Sequence, residues 1–141
     1  MKLIDGLLDY QTAWSLPDVK LFTGNKTITK DGRLVMGRGA AKAVRDFYPG
    51  IDKRIDTGCP VSFTQITGNQ FVGYFCVKDH FAESADLSLI AESVAELSIV
   101  ARDVQAVTFH LNYPGIGAGG LDVESVSHII SALPDNVWVY Q

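Results

Sequence analysis

The stretch Asn112-Tyr113-Pro114-Gly115-Ile116-Gly117-Ala118-Gly119-Gly120-Leu121-Asp122 lies between an apolar run, Val104 to Leu111, and a helical period that begins near Asp122. In that period Val123, Val126, Ile129, Ile130 and Leu133 share one face, and Pro134 follows its end. Strand, glycine-rich turn and helix in this order are the working part of an α/β unit. Glycine lets backbone N–H groups turn towards a ligand with no Cβ in the way. A helix N-terminus just beyond adds unpaired donors and positive partial charge. The loop is therefore suited to an anion.

A second segment repeats the device. Met36-Gly37-Arg38-Gly39-Ala40-Ala41 leads into a helical face made by Ala40, Val44 and Phe47, which Pro49-Gly50 ends. Two such loops at the C-terminal ends of strands could together cradle a diphosphate, because ligands of open α/β sheets bind outside those ends. The letters exclude two common phosphate loops. No G-x-x-x-x-G-K-[ST] occurs, and Gly37-Arg38-Gly39 runs into Ala40-Ala41-Lys42, which leaves G-x-G-x-x-G incomplete.

The rest of the chain alternates in the same way. Val19 to Thr23 reads as a strand. Asp31-Gly32 lies between two β-prone runs and predicts a hairpin, as does Gly68-Asn69 between Val61–Thr67 and Phe71–Val77. Leu87, Ile90, Ala91, Val94, Leu97 and Ala101 stripe a helix from about Asp86, its expected N-cap, to Arg102. Val104 to Leu111 and Val137 to Tyr140 are expected as strands. The pattern predicts an α/β fold of three layers, α/β/α, with a mixed central sheet, since the hairpins require some antiparallel pairing.

Composition bounds the function. A chain of 141 residues with 47% hydrophobic and 20% charged residues is expected to be one globular domain, 1–141. No apolar run reaches 18 residues, so no membrane span is expected. The start, MKLIDGLLDYQ, carries acids inside its apolar stretch and does not read as a signal peptide. Twelve basic against 16 acidic residues give a net charge of −4, without the broad positive field of a duplex DNA binder. Cys59 and Cys76 form no disulfide framework or zinc spacing, so free thiols in a reducing cytoplasm are expected, with Cys76 a small buried hydrophobe. No cofactor or metal is expected, and the chain is expected to be monomeric.

The two glycine loops resemble those of the macro domain, the ADP-ribose-binding module. The second loop carries most of the likeness. The first, Leu34-Val35-Met36-Gly37-Arg38-Gly39-Ala40-Ala41-Lys42, followed by Phe47-Tyr48-Pro49, is similar to the M-G-x-G-I-A variant. That variant is typical of the branch containing the terminal ADP-ribose protein glycohydrolase and small phosphatase-like macro domains of microbes and phages. The resemblance implies that Met36 to Ala40 contact diphosphate and distal ribose, and that Asn25 sits near that ribose. It implies that Gly115, Ile116, Gly117, Ala118, Gly119, Gly120 and Leu121 wrap the phosphates from the other side, and that Tyr140 lies beside adenine. Two departures stand out. The family's Gly-Asp-Ile/Leu is here Asp5-Gly6-Leu7, and about ten extra residues, Lys26 to Val35, precede the first loop. This insertion, placed near the ribose, is a candidate lid.

The same resemblance puts Lys78 at the position of the glycohydrolase lysine, where an amine near a ribosyl carbon could form a transient Schiff base. It implies an aspartate in the second loop, but here Gly119-Gly120 runs straight into Leu121-Asp122. Asp122 is a candidate general acid or base and equally a helix N-cap. His80, two residues past Lys78, offers acid, base or nucleophilic chemistry on a phosphate monoester. His110, on an apolar strand, reads as structural. Three functions stand: hydrolysis of ADP-ribose derivatives (from protein or nucleic acid, or of ADP-ribose 1″-phosphate), binding without turnover, and an α/β domain without nucleotide chemistry, which the glycine loops disfavour.

Overall fold

Alternation along the strands builds two cores on one sheet. The computed structural model describes residues 1–11 and 18–141. Its strands are β1 (Lys2–Ile4), β2 (Val19–Gly24), β3 (Val61–Thr67), β4 (Gln70–Cys76), β5 (Phe109–Asn112) and β6 (Val137–Tyr140), and its helices are α1 (Gly39–Phe47), α2 (Leu87–Asp103) and α3 (Val123–Ile130). The strands form one sheet in the order β1-β6-β5-β2-β4-β3. All neighbours are parallel except β3 and β4, the hairpin pair.

On one face Leu21, Phe75, Phe109, Leu111, Val137 and Val139 pack against Ile90, Val94 and Leu97 of α2 and Val126 and Ile130 of α3. On the other, Phe22, Val72, Tyr74 and Cys76 pack against Ala41 and Val44 of α1 and against Met36. This is the expected α/β/α sandwich with a mixed sheet. Among its glycines the most closely packed is Gly73 of β4, where an added Cβ would lie 2.3 Å from Leu21 Cγ. No helix among the described residues is long and apolar enough to cross a membrane. Cys76 is buried and Cys59 exposed, both as free thiols.

Asp86 and Asp122 cap their helices as expected: the Asp86 side chain accepts from the Ser88 amide and that of Asp122 from the Ser125 amide. Two expectations need correction, and one strand is new. The strand expected from Val104 starts at Phe109, because Val104 is still bonded to Val100 at the end of α2. There the Asn136 side-chain amide gathers the carbonyls of Ala101 and Val107. β1 was not foreseen; it is a three-residue edge strand beside β6. The Asp31-Gly32 turn forms, with Gly32 at φ +82°, but its arms share a single bridge, Ile28 to Leu34, and no strands.

Candidate ligand-binding site

The sheet opens where β2 and β5 part. They pair in parallel from Val19–Phe109 to Leu21–Leu111 and then diverge. Beyond that point the Asn112 side chain takes over from the ladder. Its Oδ1 accepts from the Thr23 amide (3.0 Å) and from the Tyr10 hydroxyl (3.3 Å), and its Nδ2 donates to Thr23 Oγ1 (2.8 Å). A parting of parallel strands at their C-terminal ends is where α/β sheets hold ligands. The glycine loops leave from the two sides of this opening, one downstream of β2 and the other directly after β5.

In the first loop Met36 is 1% exposed, its side chain in the core under α1, while Gly37, Arg38 and Gly39 are exposed and Ala40 is half-buried. Gly39 starts α1 at φ +56°. Arg38 is the N-cap with extended backbone and makes no side-chain capping bond, and no acid lies in the first turn. Asn25 is buried, and its side chain is occupied. Nδ2 donates to the Val35 carbonyl (3.0 Å) and Oδ1 accepts from the Thr27 amide (2.8 Å). It thus clasps the base of the insertion and sets the path into the loop.

The second loop has an inner and an outer side. Gly115, at φ +75°, is packed so that a Cβ would lie 2.7 Å from Ile90 Cδ1, and its carbonyl accepts from the Leu121 amide at 2.9 Å. Gly119 is buried, 3.0 Å from Ala85 Cβ by the same measure, and its carbonyl accepts from the Ala85 amide (2.8 Å). Gly117, Ala118 and Gly120 are exposed, and Ile116 and Leu121 are half-buried. The helix that follows does not match the expected free N-terminus. Asp122 Oδ1 accepts from the Ser125 amide and Oδ2 from the Ser125 hydroxyl, each at 2.9 Å. The Ser125 amide, then its hydroxyl, hold the Asp122 carboxyl below the usual carboxylate range. Asp122 is an ionised cap, with Glu124 behind it. Of the two helices that follow glycine loops, α1 is the one without a side-chain cap.

Lys78 and His80 lie on the segment between β4 and α2, which bridges the insertion and the second loop. Lys78 is half-buried and its Nζ donates to the Glu83 carbonyl (3.2 Å). Glu83 leads through Ser84 to Ala85, which backs the second loop at Gly119. On its other side, Asp79 accepts at its carbonyl from the Lys26 amide (3.0 Å) and pairs with Lys26 Nζ (3.6 Å), and the Phe81 amide donates to Thr27 Oγ1 (3.1 Å). His80 is exposed; its ring stacks on Phe81 at 4.4 Å and its Nδ1 accepts from the Ala82 amide (3.1 Å). The expected lid, Lys26 to Val35, is thereby fastened at Thr27. It is fastened again at Leu34, which is buried and bonded to the Asp52 carbonyl (2.8 Å). Both anchors lie at the base of the insertion, and residues 28–33 between them are exposed.

Tyr140 ends β6 beside Asn112 and is half-buried. Its hydroxyl lies 2.6 Å from Nδ1 of the buried His110, whose Nε2 lies 3.1 Å from Asp18 Oδ2. Burial, then the Asp18 charge, push the Tyr140 hydroxyl up from its ordinary pKa, so the phenol keeps its proton. Asp5 follows β1, whose Ile4 pairs with Tyr140, and is exposed. Asn112, Thr23, Asp18 and His110 were not singled out as site residues by the sequence reading. Strand parity puts His110 and Tyr140 on one face, but nothing local signals their partners.

No family model matches the chain, and no curated protein matches it by sequence. Solved structures do match. The macrodomain of Mycobacterium tuberculosis DarG is 25% identical, covers 98% of this chain and 96% of its own, and superposes with a TM-score of 0.68. The macrodomain of Thermus aquaticus DarG is 21% identical over 99% of this chain and 97% of its own, with a TM-score of 0.69. Thermosipho africanus DarTG, solved in complex with ADP-ribose, is 17% identical over 86% of this chain, with a TM-score of 0.66; the match spans 37% of that protein.

Proposed function

As the chain has the macrodomain fold, we propose that it binds ADP-ribose across the opening between β2 and β5, with the diphosphate between the two glycine loops. The observation that carries this reading is the uncapped start of α1 behind exposed Gly37 and Gly39, together with a second loop in which Gly117 is exposed and an added Cβ would meet nothing within 4 Å. Unpaired amides at a helix N-terminus are matched by a phosphate. The adenine half then falls towards Tyr140 and Asp5, and the distal ribose towards the first loop, whose approach Asn25 shapes. The Thermosipho protein, whose structure holds ADP-ribose, supports the choice of ligand. Calorimetry with ADP-ribose tests it. Micromolar affinity, on the order of −8 kcal/mol, is expected, with AMP weaker. No binding at millimolar ligand overturns the reading.

The finer reading is hydrolysis at the distal ribose, and Lys78 supports it. The residue lies on the segment that contacts the insertion before the first loop on one side and the second loop on the other, which makes it the candidate amine for a distal ribose lying between them. Binding without turnover is the second reading, and the place of Asp122 favours it: a carboxylate occupied by Ser125 and held ionised leaves a departing group without an acid, a loss of roughly 10²–10⁴ in rate. Assays on ADP-ribosylated protein, ADP-ribosylated DNA and ADP-ribose 1″-phosphate separate the two. Loss of turnover with binding kept in Lys78→Ala supports a glycohydrolase, and the same outcome confined to His80→Ala supports a phosphatase. A parent protein that binds ADP-ribose and turns over none of them is a binder.

A further inference from the structure

The face of the sheet shared by α1 carries a polar chain that the glycine loops do not explain. Asp18, just before β2, holds Nε2 of His110 on β5 at 3.1 Å, and Nδ1 of His110 meets the Tyr140 hydroxyl on β6 at 2.6 Å. His110 is 7% exposed and stands edge-on to Trp138 at 5.4 Å, so its ring is fixed by packing as well as by both nitrogens. With Asp18 accepting from Nε2–H, Nδ1 is left as an acceptor, and the phenol donates to it. The chain thus runs from half-buried Asp18, through buried His110, to a half-buried aromatic at the C-terminal edge of the sheet, beside the start of the second loop, where the Tyr113 amide donates to the Tyr140 carbonyl at 2.9 Å.

We infer that Asp18 and His110 are positioning residues for the adenine half of the ligand, holding the Tyr140 ring in one orientation before binding. The inference rests on the ADP-ribose reading above. A tyrosine at a strand end turns freely about two side-chain torsions, and ordering it on binding costs affinity; a hydroxyl anchored beforehand removes that cost. Tyr140 then presents a fixed ring face to a base, while its hydroxyl is committed to the protein. The effect is confined to the base end of the ligand, because none of the three residues belongs to either glycine loop.

The test splits the ligand. AMP carries the base, ribose 5-phosphate carries the distal sugar, and both are titrated alongside ADP-ribose. His110→Phe keeps a ring in the core and removes both bonds. It is expected to weaken AMP and ADP-ribose about tenfold and leave ribose 5-phosphate unchanged. Tyr140→Phe is expected to reproduce that pattern, and the double variant to lose no more than either single one, as for residues acting in series. A merely structural role would lower the melting temperature and weaken the two half-ligands alike. Equal losses on both, or unchanged AMP affinity in either single variant, overturn the inference. If His110→Phe does not fold, Tyr140→Phe and Asp18→Asn decide on the same criterion. A parent protein that binds none of the three ligands overturns the site reading and this inference with it, which sets that failure apart from one confined to the variants.

Discussion

Single glycines in this chain differ in what they can tolerate, and that decides which substitutions report on the ligand. Gly37 lacks a positive φ, and a Cβ there would meet nothing within 4 Å. Gly37→Glu is expected to fold normally and to weaken ADP-ribose at least tenfold, about 1.4 kcal/mol, in a calorimetric titration. Unchanged affinity in the folded variant would remove the first loop from the site. Gly119→Glu is a poorer probe, since its Cβ would press on Ala85 at 3.0 Å before any charge met a phosphate. Asp122 invites a different measurement. Its carboxyl is depressed by the Ser125 amide and hydroxyl. Such a group stabilises the fold above its unfolded pKa of about 4, and the contribution is lost as pH falls through the lower folded value. Asp122→Ala should therefore melt earlier than the parent near neutrality, with the two curves converging below about pH 4. Its ADP-ribose affinity should stay at the parent value if the residue is a cap and nothing more. At this scale the sequence exposed the glycines, Lys78, His80 and both caps, because each is a local pattern. The Asn112 clasp and the Asp18–His110 contact were not legible. They join residues 89 and 92 positions apart, and no short-range periodicity encodes such a pair.

Between elements, the contrast is between the two helices that follow glycine loops. α1 starts with no side-chain cap, and α3 starts with Asp122 in place. Ligand phosphate should therefore protect the amides of residues 39–41 from hydrogen exchange far more than those of 123–125. Saturation at a hundredfold excess over Kd should stabilise the protein by about 2.7 kcal/mol. Protection at α3 without protection at α1 would reverse the assignment of the loops. The elements read well from the sequence where period and punctuation agree, as in α2 and the β3–β4 hairpin. They read poorly where apolar residues serve something else. Val104 and Val107 look like the start of a strand, yet Val104 caps α2 and Val107 lies in the bend after it, and Asn136 gathers the carbonyls of Ala101 and Val107. β1 is too short for alternation to show, and it exists because β6 offers it a parallel edge.

The whole molecule depends on the sheet being tightly packed in the middle and open at one end. Gly73 shows the first property. With its Cβ position 2.3 Å from Leu21 Cγ, Gly73→Ala must push β2 and β4 apart or force Leu21 from its rotamer. It is expected to cost about 1–3 kcal/mol in urea denaturation; a loss near zero would mean that the core there is loose. The layer order was legible because one strand hairpin, β3–β4, and three helical stripes leave few ways to arrange the layers. The strand order was not, since it is set by contacts that only the folded chain makes.

At the open end, beyond the last backbone pair Leu21–Leu111, β2 and β5 are tied by side chains, chiefly that of Asn112. Mouth width and sheet integrity are consequently separate variables. On the proposed reading, a shorter or longer residue at that one position is expected to change which sugar or phosphate fits while every strand keeps its register, so ligand preference could drift without the fold having to follow.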